Sequence, residues 1–582
     1  MKQIKIKDWN IFIPENYAIA QFEQEFIQII ERYNLENNTS KNSFFYRTLQ
    51  GIPFYWNVLQ SKKEILLSST LCSQEVDFKL NWTTDLEQSI GIDNVFNLEN
   101  QKISENFISL TKNLQKQINQ YRPNFWEKLT DFGLLLTAQY DLLRIHLLKF
   151  LAILPSLNHD NKGHKIKKIW LETLDAILQD KNSSIPSYLF CTFKILRPIS
   201  KHLVPASFFT TPLRFLVKKM ATRFVATDNM KDVFGTLNEL YKTKRAATID
   251  QLGELVVSED EAQHYCDQVI SIIEQFKNWE HYGAYNQANI PYCHVSLKVT
   301  ALCARLNPDD LSYGMSRIFP RLQKILLKAQ ENKVFVQIDA EHFTVRDCVF
   351  EIYKEVLLDT PKLKDYKDTG IVVQAYLKDS YEHWKKVLNL AKERNLTMPI
   401  RLVKGAYWDS ETINAKANGQ DAPQFLSKKE TDGNFRFLAE KTLESSPHLQ
   451  LCLASHNIID HTYIEDVKSA KYPKSLTIEH QCLHMTYEAL SIGLAKLNYP
   501  VRNYVPLGDL LVGMAYLVRR IMENSSQVGF LSQMRKSKNA NILDFKHQYL
   551  DISSKLKQIN MDTGFIPVSS LRLHLDFEKS AY

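Results

Sequence analysis

From about residue 243 onward, short apolar runs rich in β-branched residues alternate with longer stretches whose apolar positions recur every three to four residues. The first pattern is that of strands buried on both faces, the second that of amphipathic helices. The runs are AATIDQLG (246–253), HVSLKVT (294–300), VFVQIDA (334–340), IVVQAYL (371–377), PIRLVKG (399–405), LQLCLAS (449–455), SLTIEHQ (475–481) and RNYVPLG (502–508). A helical stretch follows each, such as DDLSYGMSRIFPRLQKILLKAQEN after the second and SYEHWKKVLNLAKERN after the fourth. This alternation over residues 243–532 predicts an α/β fold, a (β/α)8 barrel of the TIM type with a buried parallel sheet.

Upstream the pattern differs. Residues 1–125 mix strand-like pieces (SKKEILLSST) with helical ones (AQFEQEFIQIIERY) between Asn/Ser-rich turns, and are expected to form an N-terminal domain with no assigned role. Residues 126–242 read as a helical arm or cap, with Pro155, Pro186, Pro198, Pro205 and Pro212 marking helix breaks. Residues 533–582 form a C-terminal tail. The most apolar stretch, Gly133 to Pro155, is interrupted by Asp141, Arg144 and Lys149, which favours a core helix over a membrane span.

Composition changes this picture little. Hydrophobic residues make up 44% and charged residues 24%, as in ordinary globular chains. A net charge of +7, from 72 basic and 65 acidic residues, suits a mixed surface and gives no nucleic-acid footprint. The eight cysteines are scattered without a CxxC pair or zinc-ligand spacing, so they read as reduced thiols of a cytoplasmic protein, and no signal or transit peptide is visible. No GxGxxG follows a strand, which leaves any dinucleotide to bind on the barrel itself.

The polar residues of the runs carry the functional signal. Asp250 and Glu254, Lys298, Asp339 with Glu341 and His342, Gln374, Arg401 and Lys404, His456, Glu479 and Gln481, and Tyr504 are assigned to the C-terminal ends of the runs, where barrel enzymes keep their sites. Downstream, YLVRRIMEN (516–524) sets Arg519 and Arg520 side by side among Leu517, Val518, Ile521 and Met522. Buried there, the pair needs an anion; at a core rim it would reach water instead. Four centres of positive charge, with the arginine pair counted as one, favour a carboxylate or phosphate ligand over an internally paired rim. A metal hydrolase lacks the His-x-His and the close histidine spacings such a site uses, although His294, His342, His456 and His480 fall near strand ends. A Schiff-base aldolase on Lys298 or Lys404 leaves Gln374, Trp408 and the paired arginines unexplained.

Eight segments settle on one resemblance: SLKVTALCARLNP (296–308), QIDAEHF (337–343), VVQAYLKDS (372–380), RLVKGAYWDSE (401–411), KKETDGNF (428–435), ASHN (454–457), YVPLGDLL (504–511) and YLVRRIMENSSQVGFL (516–531). Over about 212–532 the chain resembles FAD-dependent proline dehydrogenases, in particular the proline dehydrogenase half of bacterial proline utilization A. The resemblance implies a distorted (β/α)8 barrel with FAD at its mouth. It also implies oxidation of L-proline to Δ1-pyrroline-5-carboxylate by hydride transfer to the flavin, with electrons passed to a membrane quinone. On the matching positions it implies that Lys298, Arg519 and Arg520 bind the substrate carboxylate, that Glu254 pairs with one of these arginines, and that Asp339 organises Lys298. Tyr407, Leu483 and Tyr504 would pack around the substrate ring. Arg401 would stand near flavin N5 and Gln374 at the isoalloxazine edge. Lys404, Ala406, Trp408, Ser427, Lys428, Thr431, His456 and Glu523 would contact the rest of the cofactor. No metal is implied.

Two departures from the family pattern stand out: FLSKKETDGNF is one residue shorter, and His342 replaces an acid. Residues 533–582 are too few for a linked aldehyde dehydrogenase, so a monofunctional chain handing its product to a separate pyrroline-5-carboxylate dehydrogenase is expected. Peripheral contact with the inner membrane (mitochondrial if eukaryotic) and homodimerisation stay open. So do another cyclic amino acid such as hydroxyproline as substrate, and a catalytically inactive paralogue serving as scaffold or regulatory subunit.

Overall fold

A computed structural model of the chain describes residues 2–6, 9–13, 43–49, 52–59, 63–68, 104–124, 127–128, 163–179, 187–209, 230–252, 256–419, 421–426 and 428–508. The N-terminal strands β1 (Lys2–Ile6), β2 (Trp9–Ile13), β3 (Ser43–Leu49), β4 (Ile52–Leu59) and β5 (Glu64–Ser68) form one five-stranded sheet in the order β1-β2-β5-β4-β3. The segments AQFEQEFIQIIERY and Gly133 to Pro155 lie outside the described residues.

Helix α1 (Glu105–Asn119) docks on the barrel, whereas a boundary at residue 125 groups it with the N-terminal segment. Its N-cap Ser104 donates to Asp466 Oδ1 at 2.9 Å, Thr111 meets Thr462 at 3.0 Å, and Leu114 and Ile118 pack with Leu490 and Leu494. Its buried side chains Phe107, Thr111, Leu114 and Ile118 recur at the helical period, a stripe not singled out from the sequence. Helices α2 (Gly163–Gln179), α3 (Ser187–Pro198) and α4 (Met230–Lys242) precede the barrel.

Eight parallel strands then close on themselves. They are β6 (Arg245–Gln251), β7 (His294–Leu297), β8 (Phe335–Ile338), β9 (Thr369–Gln374), β10 (Met398–Val403), β11 (Leu449–Ala454), β12 (Glu479–Leu483) and β13 (Val501–Leu507). Neighbours pair in chain order, and β13 closes on β6 with Tyr504 opposite Thr248. All eight sequence runs are strands of this barrel. Their edges move by up to four residues, and two of the shifts show why. Residues Val299–Leu302 after β7 turn into a 3₁₀ helix through the Ala301 N–H to Lys298 carbonyl bond of 3.1 Å. Pairing of β12 with β11 begins only at Glu479, opposite Cys452, so the run at 475–481 is placed four residues early.

The outer layer is α5 (Glu259–Gln275), α6 (Leu311–Glu331), α7 (Phe343–Asp359), α8 (Ser380–Arg394), α9 (Trp408–Ala417), α10 (Lys428–Glu444), α11 (Ile458–Lys471) and α12 (Glu488–Lys496). Helix α5 shows how the sequence builds such an element. Ser258 caps it by accepting from the Glu261 N–H, and Glu259, Asp260 and Glu261 sit in the first turn where they favour the dipole. Ala262, Tyr265, Cys266, Val269, Ile270 and Ile273 form its buried stripe against the strands. Each large apolar side chain so buried contributes about 1.5–3 kcal/mol of transfer free energy.

Alternation along the strands decides what faces the lumen. Thr248 and Asp250, Ser296 and Lys298, Asp339, Glu479 and Gln481, and Arg502 and Tyr504 share one parity within their strands or the residue just beyond, and their side chains meet across the interior. Their outward neighbours, such as Ile249, Val295, Ile338 and Val505, join the main apolar core beneath the helices.

Candidate active site

The end of β7 hands its last inward position to Lys298, which is buried and whose Nζ donates to both oxygens of Asp250 at 2.7 and 2.8 Å. Burial alone would push the ammonium pKa down, but Asp250 and Asp339 outweigh it and hold the group charged, well above its ordinary range. Burial raises the Asp250 carboxyl in turn, against the pull of Lys298.

Asp339, at the end of β8, serves a second centre. Its Oδ1 accepts from Arg401 Nη1 at 2.6 Å and Ser296 Oγ at 2.7 Å, and its Oδ2 accepts from Tyr504 at 2.9 Å. Asp339, expected to organise Lys298, makes no hydrogen bond to it. Asp250 takes the ammonium, and Asp339 reaches Lys298 only through space. Arg401 further donates from Nε to Gln481 at 2.8 Å and from Nη1 to Ser296 at 2.9 Å, and its guanidinium carbon lies 5.3 Å from the Tyr504 ring centre. Burial, reinforced by Asp250 and Asp339, raises the Tyr504 hydroxyl well above its usual pKa, so it stays protonated and donates.

A third group lies beyond β10. Lys404 Nζ meets Asp432 at 2.5 Å and Asp460 at 2.8 Å, and Asp460 also takes Arg436 at 2.7 Å and Ser455 at 2.6 Å. Gly405 follows with φ +135°; a Cβ there would lie 2.1 Å from the Tyr376 ring, so the chain can turn past Tyr376 only without a side chain. Ala406 is exposed beyond that turn, and Tyr407 then caps α9 with its ring 4.2 Å from His342. Trp408 is partly exposed and donates to the Phe425 carbonyl at 3.0 Å. His456 Nε2 accepts from the Leu483 N–H at 3.0 Å, which assigns the ring proton to Nδ1. Gln374 is buried; its Nε2 donates to the Glu341 carbonyl at 3.2 Å, while its Oε1 has no partner among the described residues. Thr431 is buried in the first turn of α10, which Lys428 opens.

The expected residues thus fall into two sets. Lys298, Asp339, Arg401 and Tyr504 converge in one network, and Leu483, Gln374, Tyr407, Lys404 and His456 lie at or just past strand ends. Glu254, Ser427, Arg519, Arg520 and Glu523 lie outside the described residues. Glu479 is a correction: it opens β12 instead of ending it, so it sits in the floor with Arg502, not at the mouth. Sequence reasoning placed Asp250 and Gln481 among the strand-end polar residues without a specific role and did not single out Thr248 or Ser296. Inward parity was the signal that could have found them.

A family model described as "Proline dehydrogenase" matches residues 233–533. The chain belongs to the proline dehydrogenase family. It is 28% identical over 328 residues to the Bifunctional protein PutA of Escherichia coli (strain K12), covering 55% of this chain and 24% of that protein. It is 30% identical over 311 residues to Proline dehydrogenase 1 of Bacillus subtilis (strain 168), covering 53% of this chain and 89% of that protein. Among solved structures, proline utilization A from Bdellovibrio bacteriovorus, inactivated by N-propargylglycine, superposes with a TM-score of 0.62 at 25% identity, covering 81% of this chain and 45% of the other. The chain spans only about a quarter of the PutA proteins' length. Its family match takes in the whole barrel described above, from the first turn of α4 through β13.

Proposed function

We propose that the barrel mouth oxidises L-proline to Δ1-pyrroline-5-carboxylate, the first step of proline catabolism, with FAD as cofactor. The observation that carries this reading is the buried pairing of Lys298 with Asp250 and of Arg401 with Asp339 at adjoining strand ends, inside a chain of the proline dehydrogenase family.

The residues present fit a flavin. Gln374 offers a buried amide oxygen without a protein partner among the described residues, the kind of acceptor an imide N–H uses. Gln374 and Arg401 would hold the ring; Lys404, Ala406, Trp408, Ser427, Lys428, Thr431, His456 and Glu523 would hold the remainder of the cofactor. The chemistry supplied by the bound flavin is acceptance of a hydride from ring carbon C5 of the substrate.

The chain's own contribution is to position and desolvate. Lys298, Arg519 and Arg520 fix the substrate carboxylate, with Glu254 steadying one arginine. The described pairs already balance two cations with two carboxylates, so an incoming carboxylate needs further positive charge, which the arginine pair would bring. Tyr407, Leu483 and Tyr504 pack the ring and exclude water. The amine must be neutral for its lone pair to assist hydride loss, and Arg401 favours the negative charge that reduction brings to the ring.

Electrons would leave to a membrane quinone, and the product to a separate pyrroline-5-carboxylate dehydrogenase. We place the protein in the cytoplasm with peripheral contact on the inner membrane, or in the mitochondrion of a eukaryote. Among the described residues no helix is long and apolar enough to cross a membrane. Incubation with L-proline, FAD and an artificial electron acceptor tests the reaction. Trapping of the cyclic imine with an aromatic amino-aldehyde supports it, and acceptor reduction without imine points to another substrate bond.

A further inference from the structure

Arg401 is held at more than one point of its guanidinium. Asp339 and Ser296 anchor Nη1, an anchor about which the planar fork could still swing. Nη2 reaches Thr248 Oγ1 only at 3.4 Å, and the short contact that stops the swing comes from β12, where Gln481 Oε1 accepts from Arg401 Nε at 2.8 Å. A carboxamide can turn either end toward a neighbour, and here the choice is forced. Gln481 Nε2 donates at 2.7 Å to Oε1 of Glu479, two residues earlier on the same strand and face. A guanidinium donates only, and Glu479 Oε1 accepts here, so the amide oxygen must face Arg401 and the nitrogen must face Glu479. Glu479 is itself fixed by Arg502 Nε at 2.9 Å and by Asn286. Arg502 is tied to the carbonyls of Ala247 and Pro291 at 2.7 and 2.9 Å. A rigid floor therefore sets the polarity of an amide, and the amide sets the rotation of a cation one layer higher.

We propose that Gln481 is the positioning residue for Arg401, with Glu479 locking its orientation. The proposal rests on the reading above that places Arg401 beside the flavin. Charge aimed at a fixed point acts without reorganisation during reaction, so loosening the aim should cost rate more than substrate affinity.

The test compares wild-type holoenzyme with Gln481→Met, which keeps the volume and removes both hydrogen bonds. Per bound flavin, the limiting rate of flavin reduction by L-proline should fall at least about tenfold while the proline dissociation constant changes less than about twofold. The reduction potential, poised with a chemical reductant, should drop by about 30 mV, the two-electron equivalent of a tenfold shift in equilibrium. Adding Gln481→Met to Arg401→Met should change neither quantity further. If Gln481→Met does not fold, Gln481→Asn, which withdraws the amide by one methylene, should show the same split. A Gln481 variant that lowers only flavin content or melting temperature, with rate and potential per flavin unchanged, overturns the proposal. A wild-type flavin that proline does not reduce would sink the functional reading instead, and the chemically poised potential would still decide the role of Gln481.

Discussion

The floor and the mouth of the barrel use the same inward-facing positions and put them to different ends. In the floor, Glu479 is matched to Arg502, Gln481 and Asn286, and His294 sits against Thr248 and the Phe335 ring. Burial first, and then Arg502 and Arg401, pushes His294 well below its usual pKa, so it stays neutral. Protein partners exhaust what those charges can bind. At the mouth the cations are equally buried but stand one layer from the rim, and Gln374 Oε1 is left without a partner among the described residues. Polar groups satisfied on all sides specify a structure; polar groups satisfied on all sides but one specify a ligand.

The comparison breaks most sharply at Arg502. Replacing it by Met leaves Glu479 buried and uncompensated, and should cost about 3–5 kcal/mol in chemical denaturation. A loss under about 1 kcal/mol would mean the floor tolerates a bare carboxylate. Lys298→Met should do the reverse. Proline kcat/KM should fall about 100- to 1000-fold, the scale of one lost charged donor. The loss of stability should be smaller than that at Arg502, because burial already raises the Asp250 carboxyl and eases its neutralisation. An equal loss of stability would make Lys298 a structural cation. Gln374→Leu should weaken FAD binding about tenfold, near the value of one hydrogen bond, without altering the melting temperature of the apoprotein. Unchanged FAD affinity in a flavin titration would remove Gln374 from the cofactor site.

The smallest effect concerns pH. His461 and His383 are both pushed down to about 3, first by burial and then by their neighbours His480 and Arg346 respectively. The unfolded chain, with histidines near 6.5, binds more protons than the native one below that value. Stability from the neutral rings is therefore present above pH 6.5 and lost progressively as pH falls toward 3. His383→Gln should make the melting temperature less steep in that window. A slope identical to that of the wild type would contradict the assignment.

The barrel was legible because buried parallel strands must be continuous apolar runs, and this chain separates eight of them by amphipathic helices. Two of the misjudged edges have local causes. A 3₁₀ turn ends β7 at once, and Ser475 belongs to a turn closed on Tyr472 before β12 begins. The lumen was harder to read. Lys298 and Arg401 were found as rim cations, yet which carboxylate each takes depends on how the strands are staggered, and that offset is not written in spacing along one strand. Asp250 and Asp339 are chemically alike; only the closed barrel sends one to the lysine and the other to the arginine. Gln481 was noticed as a polar strand residue, but its meaning came from Glu479 below it and Arg401 across from it.

The central claim, that the mouth binds a flavin and reduces it with proline, is tested most directly by the absorbance spectrum of the purified protein before and after anaerobic addition of L-proline. Flavin bands that bleach on addition are the predicted result. Bands that persist would discard proline as the reductant, and a colourless protein that takes up no added FAD would contradict the account as a whole.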